Sequence, residues 1–481
     1  MNLVALAPTL YLLFTSQADF LAQTTGFIRR VRGFDGRTFL QTLVFGWLRR
    51  PQAPLEHLAQ GLGISKQALD QRFTAAAVAF CKAALLKALQ AVFQTRPDTL
   101  AWLRFFRGVY VDDCTQLWLP AAACARFPAT TPGQARLKVL LRWELQGGAL
   151  HHLSFHAGRT GDLTALEQAP PLPQGCLHLL DLGFTDFQRL QAESTAGIFW
   201  ITRLPAQTKV FGTEPVSYSR RRRLPAADPQ AGIPLWRQLR QWRQEQQSAV
   251  DVLAWVGDKH PVQGRLIALA CPPDVVARRL GRLQKKARRL GRPVSERQRE
   301  LCHWIVLLSN VPAEQLTATQ CWETYRLRWQ IELLIKRFKS EGGLGSSTST
   351  KLERVEAEWY LKLLGQVVRN WLQLLHGGPL RPVNRHELGR VVVDALAAIG
   401  QALRTGLVAL WEVLWDLREQ LQRVHARTGR QQQKTAAQRL QEAERAQASG
   451  PPQEGAGRPG EAEGRPAQVP GEGQPLPTPL S

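Results

Sequence analysis

The sequence predicts an α/β protein with an all-α N-terminal region and a disordered C-terminal tail. Apolar residues recur every three or four positions from residue 1 to about 91, the period of amphipathic helices. Short apolar or alternating runs typical of strands follow, separated by helical stretches, from about residue 109 to 310. From His425 onward Gln, Gly, Pro and Glu dominate, and such a composition buries too little apolar surface to fold.

The composition predicts a globular protein that meets polyanions. The chain has 481 residues, with 62 Lys and Arg against 39 Asp and Glu, which gives a formal net charge of +23. Such an excess is typical of proteins that bind nucleic acid or an anionic membrane surface. No uninterrupted apolar run reaches the roughly 18 residues that span a bilayer. Residues 3–14 are interrupted by Pro8 and lack a preceding basic segment. We therefore expect neither a signal peptide nor a membrane span.

The cysteine pattern indicates a reducing compartment. The number of cysteines is odd, and none forms a C-x2-C pair or a Cys/His cluster. We expect free thiols and no structural zinc. The seven cysteines are Cys81, Cys114, Cys124, Cys176, Cys271, Cys302 and Cys321.

Residues 55–73 predict two short helices separated by a turn at Gly63, with Ser65 capping the second helix. This pattern resembles a helix-turn-helix, in which the first residues of the second helix meet base edges. Lys66 and Gln67 are therefore candidates for DNA contact. An ordinary helical hairpin without DNA contact is the alternative. The residues predicted to point outward are Lys66, Gln67, Asp70 and Arg72.

A first candidate acidic site lies in residues 109–119, an alternating and β-branched stretch that predicts one strand meeting a second. Asp112 and Asp113 would close the first of these strands. Successive strand residues point to opposite faces of a sheet, so only one of the two carboxylates can face a common site. Two further strands are predicted at residues 137–144 and 149–156, joined by a Gly147-Gly148 turn.

A second candidate acidic site follows the buried strand Leu177–Leu180, which ends in Asp181. Gly183 allows a sharp turn into the next helix. Open α/β sheets place ligand-binding carboxylates at this position. Asp186 is predicted to start the following helix, and a further strand is predicted at residues 197–203.

The 205–300 segment combines strand-like pieces at residues 251–256 and 265–269 with the most basic stretches of the chain, including Arg220 to Arg223. A predicted helix has an apolar face at Val276, Leu280, Leu283 and Ala287. Clustered like charges repel one another, so phosphate contact is favoured over a merely solvated face. The basic face of that helix contains Arg278, Arg279, Arg282, Lys285, Lys286, Arg288 and Arg289.

Residues 325–339 read YRLRWQIELLIKRFK and predict one continuous helix. Tyr325, Arg328, Glu332 and Lys339 would then lie on one face at 3.6 residues per turn. A simple amphipathic helix with a weak Arg328 to Glu332 ion pair is the alternative. A core strand is predicted just before it at residues 303–310. The apolar side chains expected to pack this helix into a core are Trp329, Leu333, Leu334 and Phe338.

The Tyr-x2-Arg-x3-Glu-x6-Lys spacing resembles the signature of bacterial insertion-sequence transposases of the DDE superfamily, of the insertion-sequence group-four type. Asp-Cys-Thr at 113–115 and Asp-Leu-Gly-Phe at 181–184 resemble the other two motifs of the same family. The resemblance covers about residues 109–340. It implies a ribonuclease-H-like mixed sheet, flanked by helices and interrupted by a β-rich insertion.

The expected divisions are 1–98 (helical, DNA-binding), 99–204 (first part of the core), 205–300 (insertion), 301–350 (second part of the core), 351–424 (C-terminal helices) and 425–481 (tail).

The resemblance implies roles for the three acids: Asp113, in preference to Asp112, with Asp181 and Glu332 would hold two Mg²⁺ or Mn²⁺ ions. Hard cations of this kind prefer oxygen ligands. The remaining signature residues, Tyr325, Arg328 and Lys339, would meet the DNA backbone. Trp304 would stack on a flipped base near the transposon end, although a strand tryptophan is more often a core residue.

The implied function is cutting of transposon ends and their joining to target DNA. The expected partner is double-stranded DNA, bound by a homodimer in the bacterial cytoplasm at the nucleoid. No P-loop is present, so no nucleotide cofactor is expected. Two alternatives stay open at this point: a non-catalytic DNA-binding regulator or decayed transposase, and a metal-dependent nuclease that cuts without joining.

Overall fold

The computed structural model describes residues 3–31, 33–91, 100–215, 232–345, 347, 349–377 and 383–424. The N-terminal part is helical, as predicted. Its helices start where a side chain caps the first turn, as at Asp35 and Thr74, whose oxygens accept from the backbone N–H groups of Thr38 and Ala77. The helices are α1 (Leu3–Phe14), α2 (Ser16–Thr24), α3 (Gly36–Arg49), α4 (Leu55–Gly61), α5 (Lys66–Arg72) and α6 (Ala75–Leu89).

The first two helices bear on the expectation that the chain has no membrane span. Taken together, Leu3–Thr24 is a stretch of 22 residues that is long and apolar enough to cross a membrane. In the structure it contains two helices that meet at Thr15, and Pro8 lies inside the first of them. α1 packs against α2, α3, α6 and a C-terminal helix, and its buried side chains belong to the main hydrophobic core. The structure therefore uses this stretch as core helices.

Ten strands form one mixed sheet in the order β3-β2-β1-β4-β5-β10-β9-β8-β6-β7. β1 is antiparallel to β2 but parallel to β4, and β4 is parallel to β5. Buried apolar side chains of β1 and β4 cover both faces of the sheet centre, where continuous burial is expected. The strands are β1 (Val109–Leu119), β2 (Ala135–Glu144), β3 (Leu150–Ala157), β4 (Leu177–Leu180), β5 (Phe199–Thr202), β6 (Lys209–Pro215), β7 (Ile233–Pro234), β8 (Ala249–Val256), β9 (Val262–Ala270) and β10 (Trp304–Ser309).

Two strand predictions need correction. Residues 109–119 form one 11-residue strand rather than two, because β2 pairs with it along its whole length. The strands of the 205–300 segment continue the core sheet, since β9 pairs with β10 from Ala270 to Arg265. The hairpin at Gly147–Gly148 and the strand Leu177–Leu180 are as predicted, and Gly148 has a φ of +78° that suits the turn.

The two halves of the sheet are joined by a short ladder between β5 and β10. Only the pairs Leu308↔Thr202 and Ser309↔Ile201 connect them. Asn310 strengthens this joint, because its Oδ1 accepts from the Trp200 N–H at 2.7 Å and its Nδ2 donates to the Ile198 carbonyl at 2.9 Å. One side chain therefore replaces ladder bonds that the short pairing lacks.

Helices cover both faces of the sheet. Among them α14 is buried along most of its length and packs against α3, α6 and α15, so N-terminal and C-terminal helices share one core with the sheet. A second core on the other face includes Trp200, Leu239 and Trp304. The remaining helices are α7 (Asp162–Glu167), α8 (Phe187–Thr195), α9 (Leu235–Gln244), α10 (Pro273–Arg289), α11 (Glu296–Leu301), α12 (Ala318–Arg326), α13 (Trp329–Ser340), α14 (Leu352–Gln373), α15 (Arg385–Thr405) and α16 (Leu407–Gln422).

Candidate active site

Two parallel strands bring the first two candidate acids together. β1 and β4 pair with Val111 opposite Leu179, so Asp113 and Asp181 each lie two residues beyond that pair on adjacent strands. Side chains two apart on a strand share a face. Val111 and Leu179 both face the main core, and Asp113 and Asp181 therefore follow them on the same face. Asp181 ends its strand and precedes a 3-10 turn at Leu182–Phe184.

Asp112 faces the opposite side of the sheet. It is 1% exposed, and its carboxylate accepts from Arg142 Nε at 2.9 Å and lies 3.0 Å from His178 Nε2. Burial would raise the pKa of this carboxyl group, but the His178 hydrogen bond and the Arg142 charge outweigh burial and lower it to about 2. His178 Nδ1 in turn lies 3.1 Å from Glu193. Asp112 is thus part of a closed charged network inside the protein, and Asp113 is the member of the pair that reaches the candidate site.

The segment that contains the third acid is bent. α12 ends at Arg326 and α13 begins at Trp329, so the prediction of one continuous helix is wrong. Between them the backbone bonds tighten to the i→i−3 type: Arg328 N donates to Tyr325 O at 3.0 Å, and Gln330 N donates to Leu327 O at 2.9 Å. Tyr325 therefore belongs to α12, whereas Glu332 lies in the first turn of α13.

Arg328 lies at the bend and contacts two of the acids. Its Nη2 donates to Glu332 Oε1 at 2.6 Å, and its Nε lies 3.7 Å from Asp181 Oδ1. The Arg328 side chain is only 12% exposed, whereas Asp181 is 40% and Glu332 is 30% exposed. One guanidinium group therefore links acids that are 151 positions apart in the chain, and both carboxylates keep access to solvent.

Asp113 belongs to the same electrostatic cluster. Its Oδ1 accepts from the Cys114 backbone N–H at 2.8 Å. Burial first, and then the charges of Glu332 and Asp181, raise the pKa of Asp113 to about 6, against the opposing effects of that hydrogen bond and of Arg328. The structure thus brings together acids from β1, the end of β4 and α13, around one arginine.

Tyr325 and Lys339 border this cluster on two sides. Tyr325 is 5% exposed, and burial raises the pKa of its hydroxyl to about 12. That hydroxyl has no hydrogen-bond partner within the described ranges, although Arg328 Cζ lies 5.9 Å from the ring centre. Lys339 is exposed, and partial burial of its ammonium group lowers its pKa, while the nearby Asp113 opposes that shift. Two cations, Arg328 and Lys339, therefore interact electrostatically with Asp113.

The donor set suits a hard divalent cation, but the acids are not arranged around one. Over the part of the chain that the structure describes, no group of three or more His, Cys, Asp or Glu side chains has a geometry that could hold a metal ion. Arg328 provides the positive charge between Asp181 and Glu332 in this arrangement. Burial is the main cause of the raised pKa of Asp113, with smaller contributions from the charges of Glu332 and Asp181, and a bound cation would oppose these effects. Three carboxylates are the ligand type that Mg²⁺ or Mn²⁺ prefers.

Trp304 lies away from this cluster, in the second core. The side chain is 3% exposed, and the backbone carbonyl of Trp304 accepts from Arg279 Nη1 at 2.8 Å. A base cannot stack on an indole ring that is enclosed by core side chains, so we correct the predicted base-stacking role to a packing role. Arg279 was predicted to face outward, and this inward contact corrects that prediction too.

Two apolar residues beside the acids are exposed, contrary to expectation. Trp329 is 54% and Leu333 is 39% exposed, while Leu334 and Phe338 are buried as predicted. Only part of the predicted apolar stripe of α13 therefore meets the core. The sequence contains no Pro or Gly at this point that would have indicated the bend.

The predicted DNA-contact residues Lys66 and Gln67 are exposed at the start of α5. The turn before them has Gly63 at a φ of +67°, and Ser65 Oγ accepts from Ala68 N at 3.1 Å, as the sequence predicts. Asp70 differs from its prediction, because it is partly buried against the start of α14.

The contact between α5 and α14 includes residues that the sequence did not single out. Arg354 Nη1 donates to Asp70 Oδ1 at 3.1 Å, and Lys351 Nζ donates to the Asp70 carbonyl at 3.0 Å. Most of the α10 basic face is exposed, as predicted. The Arg220 to Arg223 run lies outside the described residues.

Comparison with known families identifies the central part of the chain. Residues 128–366 match the family model of the transposase DDE domain. The match covers 239 of the 481 residues. It includes Asp181 and Glu332, whereas Asp113 precedes the matched residues on the strand that pairs with β4.

Proteins that are similar in sequence to this chain include transposases for insertion sequence elements. The transposase for insertion sequence element IS231F of Bacillus thuringiensis subsp. israelensis is 25% identical over 355 residues, 72% of this chain and 74% of the relative. The transposase for insertion sequence element IS1151 of Clostridium perfringens is 23% identical over 399 residues, 78% of this chain and 82% of the relative. A putative transposase InsL from Escherichia coli (strain K12) is 36% identical over 104 residues, 22% of this chain and 28% of the relative.

Proposed function

We propose that this DDE-domain protein is the transposase of an insertion sequence, which cuts the ends of its element and joins them to target DNA. The main support for the proposal is that Asp113, Asp181 and Glu332 all interact with Arg328. These three acids come from three separate elements of the fold. A carboxyl group whose pKa is strongly raised by burial and by neighbouring carboxylates, as in Asp113, is a candidate for a functional site.

The finer classification is also a proposal. The Tyr325, Arg328, Glu332 and Lys339 spacing supports the insertion-sequence group-four type. A mixed sheet with the first acid on β1 and the second at the end of the adjacent parallel β4 supports a ribonuclease-H-like core. The expected divisions at 1–98, 99–204, 205–300, 301–350, 351–424 and 425–481 are kept as part of this proposal, with the 205–300 strands as an extension of the core sheet.

Asp113, Asp181 and Glu332 would hold two Mg²⁺ or Mn²⁺ ions. When bound, such ions activate a water or hydroxyl oxygen and offset the charge that develops on the scissile phosphate. For Glu332 to bind a metal, Arg328 has to release it, and the freed guanidinium is then suited to a bidentate contact with a DNA phosphate. Lys339 would act as a point charge toward the same backbone, and Tyr325 would hold Arg328 in place through its ring.

DNA recognition outside the active site is assigned to two exposed surfaces. Lys66 and Gln67 at the start of α5 are placed to reach base edges, in the manner of a helix-turn-helix. The exposed face of α10, with Arg282, Lys285 and Lys286, supplies contacts to phosphates that do not depend on sequence. Two ends cut in one reaction require two active sites, which supports a homodimer on double-stranded DNA in the bacterial cytoplasm.

The test is the change Glu332→Gln, which keeps the shape of the side chain and removes its charge. We expect near-normal DNA binding and a loss of cleavage of at least about 100-fold, since even outer-shell partners of metal ligands are worth about 10–100-fold. The assay incubates the protein with DNA that contains the element ends and Mg²⁺ or Mn²⁺, and separates uncut, cut and joined products.

Glu323→Gln is the matched control, because Glu323 lies in the same segment but pairs with Arg326 at 2.8 Å and not with the acid cluster. Normal cutting by Glu332→Gln would show that the site is misassigned. If the wild-type protein binds DNA but never cuts it, the regulator alternative is correct, whereas cleavage without joined products indicates a nuclease.

A further inference from the structure

Three adjacent parallel strands end at the candidate active site, and the third of them is followed by an arginine. Leu179 of β4 pairs with Ile201 of β5, and both belong to the main core. Asp181 and Arg203 each lie two residues beyond this pair, so they extend from the same face of the sheet. Asp113 occupies the equivalent position on β1, the neighbour of β4 on its other side. The sheet register therefore places two aspartates and one arginine side by side in a row.

The backbone at Arg203 is held close to the turn that follows Asp181. Thr185 Oγ1 lies 3.2 Å from the Arg203 carbonyl oxygen and 3.4 Å from the Asp181 carbonyl oxygen. The same hydroxyl lies 2.6 Å from Thr202 Oγ1. One threonine thus joins the ends of β4 and β5, and the place of Arg203 beside the acids is set by the fold and not by its own side chain.

The Arg203 side chain is exposed and available to a ligand. Within the ranges that the structure describes, its guanidinium group forms no hydrogen bond or ion pair. Arg328, by contrast, is bound to Glu332 and Asp181. An anion can therefore bind Arg203 without breaking an existing ion pair, whereas Arg328 first has to release a carboxylate.

The side chain of Arg203 lies on the side of the site that α12 forms. α12 packs against β5 and contains Tyr325. Burial raises the pKa of the Tyr325 hydroxyl to about 12, and the charges of Arg328 and then of Arg203 oppose that rise. The guanidinium group is therefore close enough to the site for its charge to act there.

Cations lie at both ends of the row of strands. Lys339 interacts with Asp113 of β1, whereas Arg203 follows β5, and β4 with Asp181 lies between them. A polyanion that crosses the ends of these strands would meet a cation before and after the acids. The carboxyl ends of parallel strands are where open α/β sheets bind their ligands. An exposed guanidinium group fits the oxygens of a phosphate in bidentate fashion.

We infer that Arg203 is a further substrate-binding residue of this site, and that its guanidinium group contacts a DNA phosphate beside the scissile one. The inference rests on the proposed function, because it assigns a ligand to the same site. The Tyr-x2-Arg-x3-Glu-x6-Lys spacing does not include Arg203. Its place follows from the register of β4 and β5, which the sequence alone does not give.

DNA binding at several salt concentrations tests the inference. Duplex DNA that contains the element ends is titrated without divalent metal, so that no cutting occurs. Arg203→Met should bind at least about 10-fold more weakly, as expected for one lost hydrogen bond to a charged group. The slope of log affinity against log salt should fall by about 0.9, the value for one phosphate contact.

Two further variants separate a phosphate contact from a general effect. Arg203→Lys keeps the charge and loses the bidentate geometry, so it should keep the salt slope and recover part of the affinity. Arg404→Met is the matched control, because Arg404 is exposed at the end of α15, which packs against α3, α14 and α16. It should bind as the wild-type protein does. Arg203→Met should also melt within about 2 °C of the wild type, since it removes an exposed side chain.

A change in the DNA identifies the partner of Arg203. Each phosphate that flanks the cleaved bond is replaced in turn by an uncharged methylphosphonate. At one position the wild-type protein should lose as much affinity as Arg203→Met loses on normal DNA, and Arg203→Met should lose nothing more. Losses that add at every flanking position would overturn the inference.

The outcomes distinguish this inference from the proposed function. If the wild-type protein cuts the DNA and Arg203→Met matches it in affinity and salt slope, Arg203 is misassigned and the proposed function stands. If the wild-type protein binds but never cuts, the proposed function fails, and the binding measurements still decide the role of Arg203. A wild-type protein that does not bind the DNA would overturn both.

Discussion

Adjacent residues in one strand have opposite roles in this protein. Asp112 is buried in a network with Arg142 and His178, while Asp113 faces the acid cluster and has a pKa raised to about 6. The alternation of strand side chains causes this split. Asp112 links β1 to β2 and β4 through Arg142 and His178, and Asp113 faces the other two carboxylates.

The two aspartates should therefore differ sharply in their effect on stability. Asp112→Asn leaves the buried Arg142 without its carboxylate, and we expect a loss of about 3–5 kcal/mol in the free energy of unfolding. Asp113→Asn removes a charge that burial and two neighbouring carboxylates disfavour, so it should not destabilise the protein at pH 7. Urea unfolding followed by tryptophan fluorescence measures both. A larger loss for Asp113→Asn than for Asp112→Asn would contradict the assignment of faces.

At this scale the sequence predicted some positions and not others. Asp181 was predicted from a buried strand that ends in an acid and a glycine, which is a local signal. The choice of Asp113 over Asp112 required the family resemblance. The alternation of side chains along a strand predicts that the two aspartates point to opposite faces, but it does not predict which of them faces the site. Trp329 was predicted to pack into the core and is 54% exposed, whereas Trp304 is buried, as the core alternative to base stacking predicted.

The helices show why local periodicity is an incomplete guide. Residues 325–339 have the period of one helix, yet the structure has two, joined by i→i−3 bonds. Helix propensity is a weak preference that tertiary contacts override. Arg328 lies between the two helices, where it contacts both Asp181 and Glu332.

The contact of α5 with α14 gives a prediction at the level of elements. Asp70 and Arg354 form a partly exposed ion pair, so its coupling energy should be about 0.2–1 kcal/mol. A double-mutant cycle with Asp70→Ala, Arg354→Ala and the double variant measures this coupling by urea unfolding. Hydrogen exchange should show faster exchange of the α5 amides in both single variants. Unchanged α5 exchange would mean that other contacts hold this helix in place.

At the scale of the whole molecule the sheet is the main departure from the sequence-based expectation. The β-rich segment was expected as an insertion that interrupts the core, and its strands instead extend the core sheet through β9 and β10. Strand content and order along the chain were predictable from alternation. Pairing between strands distant in sequence was not, because it depends on register and on packing across the whole sheet.

The short joint between β5 and β10 makes Asn310 a sensitive position. Asn310→Ala leaves the Trp200 N–H and the Ile198 carbonyl without their partner, and each unmade bond costs about 1–3 kcal/mol. We expect a total loss of about 2–4 kcal/mol in urea unfolding, with β8 and β9 amides losing protection before those of β1 and β4.

The control for this prediction is Asn384→Ala, which removes the side-chain cap of α15 and should cost about 1 kcal/mol. Two results would show that the β5–β10 ladder is stronger than its two residue pairs indicate. One is an equal loss in the free energy of unfolding for the two asparagine variants. The other is a loss of protection from hydrogen exchange that is spread evenly over the sheet.

The burial of α14 has a consequence for protein synthesis in the cell. This helix, Leu352–Gln373, fills the space against α3 and α6, which the ribosome has released much earlier. A nascent or truncated chain that ends before residue 352 would leave the apolar surfaces of those helices uncovered. Such a fragment is therefore expected to be taken up by chaperones or proteases rather than to persist as a free competitor for the element's ends.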